Sequence, residues 1–194
     1  TTAFSENTVD VQIDVFNIND APEIDPVTVD LYSINEDDLT SAGTLVSFLL
    51  DQEDLDYQDI DQDVGLNGYA GVHDYEGMAI ISTDTDNGLW EYLADGASNW
   101  SSIGNVSQES ALLLDPNDKV RFVPIPDYNG SADFTFRGWD QFNGEANSYI
   151  NTSPNGGITA FSSNEAIVDI EIQHMNDAPE IDPVTVDLYS INED

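Results

Sequence analysis

Oxygen donors dominate the residues of this chain that are able to do chemistry. There are 39 acidic residues against three basic ones, Lys119, Arg121 and Arg137, and the formal net charge is −36. The acids bunch together: Asn19-Asp20, Asn35-Glu36-Asp37-Asp38, Asp51-Gln52-Glu53-Asp54-Leu55-Asp56, Asp59-Ile60-Asp61-Gln62-Asp63, Asp140 behind Trp139, and Asn176-Asp177. Carboxylate and amide oxygens are the donors that hard divalent cations take, and Ca2+ needs about six to eight of them. One loop rarely supplies so many, so clusters from several loops must meet. Cysteine is absent, which excludes thiolate sites and disulfides.

Other chemistries are poorly served. His73 and His174 are isolated, and His73-Asp74-Tyr75-Glu76 lacks the paired histidines of a metalloprotease helix. No Gly-x-Ser-x-Gly nucleophile turn occurs. Paired carboxylates are too abundant here to point to a catalytic pair, so the expectation is a protein that is not an enzyme. The charge repels nucleic acid and anionic membranes. No apolar run approaches the length that spans a bilayer. Bound Ca2+ or an ion-rich medium would each relieve the self-repulsion. The Asp59–Asp63 run has calcium-loop spacing, but Val64 and Ala70 stand where an EF-hand needs Gly and Glu.

The elements that must position these donors are strands. Val9, Val11, Ile13 and Val15 alternate with polar residues, as do Val27, Val29 and Leu31 behind Pro26. Met78–Ser82, Leu89–Leu93, Ala111–Leu114, Val120–Val123, Ala132–Trp139 and Ile167–Gln173 predict further strands. Turns are marked by Asp86-Asn87-Gly88, Asp95-Gly96, Asp115-Pro116-Asn117-Asp118, Tyr128-Asn129-Gly130 and Phe142-Asn143-Gly144. Asp84–Gly88 predicts a hairpin turn first and a metal site second. Thr40–Leu50 suits a short helix or a strand, and Asp51–Val64 an acidic loop. With 40% hydrophobic and 10% aromatic residues the chain can build a core. The fold class expected is all-β, an antiparallel Ig-like or cadherin-like β-sandwich.

The chain also repeats itself. Asn19–Asp37 recurs without a change as Asn176–Asp194, and Thr2-Ala3-Phe4-Ser5 recurs as Thr159-Ala160-Phe161-Ser162 at the same offset. The strand pattern of Val9–Val15 returns at Ala166–Ile172. A period this long is a whole domain, so the pattern is that of a tandem array. The expected organisation is 1–18 as the last strand of a preceding repeat, 19–175 as one complete repeat, and 176–194 as the first strand of the next.

The segment Phe136-Arg137-Gly138-Trp139-Asp140, then Ala166–Ile170, then Asn176-Asp177-Ala178-Pro179, resembles the end of a cadherin repeat. Phe122–Phe136 resembles the cadherin-like repeats of large bacterial surface adhesins of the RTX, biofilm-forming type. The resemblance implies an extracellular extender module for cell adhesion or biofilm formation, rigidified by Ca2+ at its junctions. It implies as calcium ligands the junction pairs Asn19, Asp20, Asn176 and Asp177, the early Glu36 with its copy Glu193, the mid-domain Asp51, Glu53 and Asp54, and the late Asp140. Asp37, Asp56, Asp59, Asp61 and Asp63 are secondary candidates. The chain departs from the family where an acidic residue often precedes the junction, since Asn17 and His174 stand there.

The expected partners are neighbouring repeats of the same chain and, through the duplicated ends, strand exchange or end-to-end contact with a second copy. No nucleic acid and no membrane insertion are expected. The alternative function is a ligand-binding module, for carbohydrate or protein, built on residues 56–105. Trp90, Tyr92, Trp100 and Trp139 are its aromatic candidates, although core packing explains them more simply. Leu93–Trp100 resembles a degenerate Asp-box hairpin, which makes Asp95 and Trp100 structural.

Overall fold

The computed structural model describes residues 10–13, 18–60, 76–179 and 183. Eleven strands are present among them: β1 (Thr28–Asp30), β2 (Ile34–Asn35), β3 (Thr44–Leu45), β4 (Gly77–Thr83), β5 (Gly88–Leu93), β6 (Ser101–Ser102), β7 (Ala111–Leu114), β8 (Lys119–Pro124), β9 (Gly130–Trp139), β10 (Tyr149–Ile150) and β11 (Ala166–Gln173). One sheet has the order β1-β11-β9-β4-β7-β10, with β2 also on β11, and the second has the order β3-β8-β5-β6. The fold is a β-sandwich of two packed, mostly antiparallel sheets.

Alternation decides which side chains face inward. Ala166, Val168, Ile170 and Ile172 of β11 are buried while Ile167, Glu171 and Gln173 are exposed. Val120 and Phe122 of β8 meet them from the other sheet in one core with Trp90, Phe134 and Phe136. The undecided Thr40–Leu50 stretch is both of its alternatives in turn. Two residues pair with β8, and helix α1 (Val46–Leu50) then buries Val46, Leu49 and Leu50. Of the Val9–Val15 strand, residues 10–13 carry no ladder, and Val11 and Ile13 are 81% and 79% exposed. The rest of that stretch lies outside the described residues, apart from those four.

Two features depart from the expected hairpins. The Asp84–Gly88 turn does not join paired strands: β4 and β5 belong to different sheets, so the chain crosses the core there. Asp84 Oδ1 accepts from Asp86 N at 2.9 Å, and Gly88 is required because a Cβ would meet the Phe122 ring at 2.2 Å. The turns after β7 and β8 cross in the same way. Asp118, fully buried in the first of these, accepts from Asp95 N at 2.8 Å and Asp115 N at 2.9 Å. Burial is the main cause that raises its carboxyl pKa.

The second feature is that β4 and β7 read as continuous apolar runs because both of their faces are covered. Ala79, Ile81, Ala111 and Leu113 form a second cluster with Trp139, Ala160 and Phe161, outside the first sheet. The segment before β11 supplies that cover. Phe161 bridges to Trp139, and Ser162 N donates to Gly138 O at 3.0 Å.

β1 and β2 run parallel to β11, with Thr28 opposite Ile167 and Asn35 opposite Gln173. The chain therefore enters the sandwich at one pole and leaves at the other. On the outer face Asp30, Asp169 and Asp133 stand opposite one another across three strands. Burial and then the charges of Asp133, Asp30 and Glu171 raise the Asp169 pKa. A carboxyl whose folded pKa is raised makes the fold lose stability as pH climbs from the unfolded value, about 3.9, through the folded one. Asp169→Asn is expected to stabilise the chain by about 0.5 kcal/mol at neutral pH and low salt. Urea midpoints will check this: the gain should shrink with added salt and vanish near pH ~3, where the aspartate is protonated in both states.

Candidate metal centre

Each pole of the sandwich collects oxygen donors. At the exit pole, the chain turns out of β2 and buries Glu36, which is 1% exposed. Its Oε1 accepts from Met175 N at 2.6 Å and lies 2.8 Å from His174 Nδ1. The Met175 N–H is the main cause that lowers the Glu36 pKa, with His174 adding to it and burial opposing. Glu36 thus clasps the last strand as it leaves. Beside it, Asp37, Asp127 and Asp177 are exposed, and one carboxylate oxygen from each lies within 4.8 Å of the others.

This trio suits a hard cation. Two oxygens on one Ca2+ at about 2.3–2.6 Å stand no further apart than about 5 Å. The donor set is all oxygen, which favours Ca2+ over softer metals. The two arginines pair elsewhere, Arg121 with Glu91 at 2.6 Å and Arg137 with Glu165. Asp127 is held in the left-handed region at φ 63°, which Asp tolerates better than most residues, in the turn between β8 and β9. The sequence singled out Asp177 and, secondarily, Asp37. It missed Asp127, whose Ile125-Pro126-Asp127-Tyr128-Asn129-Gly130 setting signals only a turn.

The entry pole is more enclosed. Asn19 Nδ2 donates to Asp140 Oδ2 at 2.8 Å and to Thr159 O at 3.0 Å, and Ala21 N donates to Gly157 O at 2.8 Å. Asp140 follows β9, is buried, and its Oδ1 accepts from Phe142 N at 2.8 Å. Asp59 and Glu76 are also buried. Tyr57 OH donates to Trp139 O at 2.9 Å. The Tyr57 pKa is pushed well up, first by burial and then by the charges of Glu76, Asp140 and Asp59.

The other candidates fall as follows. Asn176 Nδ2 bonds Asp177 O at 3.2 Å, and Asp20 is exposed beside Asn19. Asp51 caps the end of α1, and Glu53 and Asp54 open the 3-10 turn Glu53–Leu55. Asp56 follows in the left-handed region at φ 46°. Among the described residues these four join no set of three convergent ligands. Asp61, Asp63 and Glu193 lie outside the described residues.

The aromatic candidates for sugar stacking are placed differently. Trp90 and Trp139 are each 1% exposed, so neither offers an open ring face. Trp100 is half-buried under the Arg121 guanidinium, 4.2 Å from its ring centroid, and packs on Gly43.

No helix among the described residues is long and apolar enough to cross a membrane. Comparison with known protein families, with curated proteins and with solved structures returns no match for this chain.

Proposed function

We propose that the chain is a cadherin-like extender repeat of a bacterial surface adhesin, stiffened outside the cell by Ca2+ at each inter-repeat junction. One observation carries this reading. The duplicated Asn-Asp pair is seen from both sides within one molecule. Asn19, in the first copy, is tied to Asp140 at the entry pole, and Asp177, in the second copy, meets Asp37 and Asp127 at the exit pole. In an array, the same junction lies between the exit pole of one repeat and the entry pole of the next. Asp37, Asp127 and Asp177 then supply oxygens from above, and the next repeat's counterparts of Asp59, Glu76 and Asp140 lie below. Ca2+ takes about six to eight oxygens, and the two poles together bring six carboxylates toward one junction. An ion shared across the junction opposes bending there, and many such junctions make a rod.

The test is thermal unfolding of the chain in EDTA, in millimolar Ca2+, and in Mg2+ or NaCl at equal ionic strength. Saturating Ca2+ at about 100 times Kd stabilises by about 2.7 kcal/mol. For a chain of this size that is a rise of about 5–10 °C in Tm. Asp127→Asn should remove most of the calcium increment and leave the EDTA melting point within a degree or so. Equal shifts with Mg2+ or NaCl would instead mean that the −36 charge is only screened, and the junction-ion reading would fall.

A further inference from the structure

Two grips on the junction strand leave it no slack. On the exit side Glu36 Oε1 accepts from Met175 N at 2.6 Å, so the chain is fixed as far as Met175. On the entry side Asn19 Nδ2 donates to Asp140 Oδ2 and Thr159 O, and Ala21 N to Gly157 O, so the chain is fixed from Asn19 onward. Asn19-Asp20-Ala21-Pro22 recurs as Asn176-Asp177-Ala178-Pro179. The two copies share one local bond: Asn19 Nδ2 donates to Asp20 O at 3.3 Å, and Asn176 Nδ2 to Asp177 O at 3.2 Å. Asn176 is thus in the local form in which Asn19 meets Asp140. On the array reading proposed above, Met175 belongs to one repeat's grip and Asn176 to the next one's. Neighbouring Cα atoms stand about 3.8 Å apart, and a linker of that length brings the two poles into contact.

What the poles then press together is apolar as well as acidic. Single exposed apolar side chains are ordinary on a protein surface. Here they stand beside the junction bonds. Phe142 and Ile158, each 67% exposed, frame the entry grip. Phe142 N donates to Asp140 Oδ1, and Ile158 lies between Gly157 and Thr159, whose carbonyls take Ala21 and Asn19. Ile60, also exposed, edges a hollow of about 550 Å3 walled by Asp20, Pro22 and Gly157. At the exit pole Leu39, Ile125 and Met175 are exposed, each two residues from one member of the Asp37, Asp127 and Asp177 trio. Leu39 N donates to Asp37 O at 3.0 Å and Tyr128 N to Ile125 O at 3.3 Å, so turns fix both at that pole.

We propose that the exit pole of one repeat and the entry pole of the next form a direct apolar contact, in which Leu39, Ile125 and Met175 pack against Ile60, Phe142 and Ile158 of the following copy. The partner is a second repeat joined in tandem. Separate molecules would have to pair two acidic poles without the shared strand to hold them. The contact orients neighbouring repeats without any ion, because apolar burial does not require a charge to be neutralised. It also removes water from beside the carboxylates, where their mutual repulsion, and their attraction for a cation, are stronger. The apolar side chains therefore set the direction of the rod, and an ion bound among the carboxylates adds to a contact already made.

The test compares the full chain with the same chain lengthened by one period, made by adding residues 38–194 after Asp194. Both are melted in EDTA, where no divalent ion contributes. A nearest-neighbour contact raises the melting temperature of the longer chain, here by about 3–5 °C. Phe142→Ser with Ile158→Ser in the downstream repeat should remove that rise, and Leu39→Ser with Ile125→Ser in the upstream repeat should remove it equally. The same pairs in the 194-residue chain should leave its Tm within about 2 °C, which separates a lost contact from a damaged fold. Because the chain has no cysteine, a spin label at Ser101→Cys in each repeat gives a second measurement. The distance distribution between the labels in EDTA should be narrow, and broad in either serine variant. Equal melting of the long and short chains in EDTA, a rise that survives both serine pairs, or a broad distribution in the unsubstituted protein would overturn the proposal. Added Ca2+ reads the junction ion separately. No calcium increment with the EDTA rise intact would remove the ion and leave the contact, whereas a calcium increment without the EDTA rise would remove the contact and leave the ion.

Discussion

Trp90→Ala is expected to lower the stability of the chain by about 3–5 kcal/mol, with Tm falling by about 10 °C or more. The indole lies where the two sheets meet. In β5 it stands opposite Phe122 of the same sheet, with ring centroids 5.2 Å apart. Across the core it meets Phe134 of the other sheet edge-on at 4.9 Å. Deleting it opens a cavity between sheets that their own ladders hold rigid, so collapse can recover little. The indole N–H is buried with no acceptor among the described residues. Trp90→Phe therefore removes an unsatisfied donor along with some volume, and should cost less than about 1.5 kcal/mol. Urea unfolding of the two variants gives the comparison. A Trp90→Ala chain as stable as wild type would show that the ring is not packed as described. Losses of carbohydrate binding in such a variant would report unfolding rather than a missing sugar contact.

Arg137→Met is expected to cost about 3 kcal/mol, and to do so unevenly across the molecule. The guanidinium is buried under the segment that precedes β11. Its Nη1 donates to Ser162 O at 3.0 Å and Ser163 O at 2.7 Å, and its Nη2 pairs with Glu165. Methionine keeps the length but leaves those carbonyls without their donor. Glu165 is partly exposed and returns to water at small cost, so the backbone groups carry most of the loss. The same segment places Phe161 over Trp139 and presents Gly157 O and Thr159 O to the incoming chain at Ala21 and Asn19. Amide exchange should therefore quicken first at Ala21 and Ser162, before the β5–β8 pair responds. Uniform acceleration at all amides would argue against a local clamp. Lysine should rescue only partly, because one ammonium does not reproduce the fork that reaches two carbonyls and a carboxylate.

Local pattern and tertiary structure contributed different things. The alternation at Ala166–Ile172 was enough to predict both a strand and its buried face, because side-chain direction in a strand has period two whatever its neighbours are. The Gly- and Asn-bearing turns were marked by their own backbone needs. The duplicated Asn19–Asp37 segment announced its own repetition, and the donor types alone pointed to a hard cation. Whether a turn closes a hairpin or crosses the core is a different matter. Asp84–Gly88 has hairpin chemistry, yet it joins two sheets, because β4 finds more partners in β7 and β9 than in the strand that follows it. The two-sided burial of Ala111–Leu114 depends on Phe161, far along the chain. Asp127 joins Asp37 and Asp177 only because two turns and the segment leaving β11, from distant parts of the sequence, end at one pole. Such meetings follow from strand order and register, which non-local pairing sets and no local period encodes. The sequence by itself determined which residues offer oxygen, and the topology decided which of those oxygens stand together.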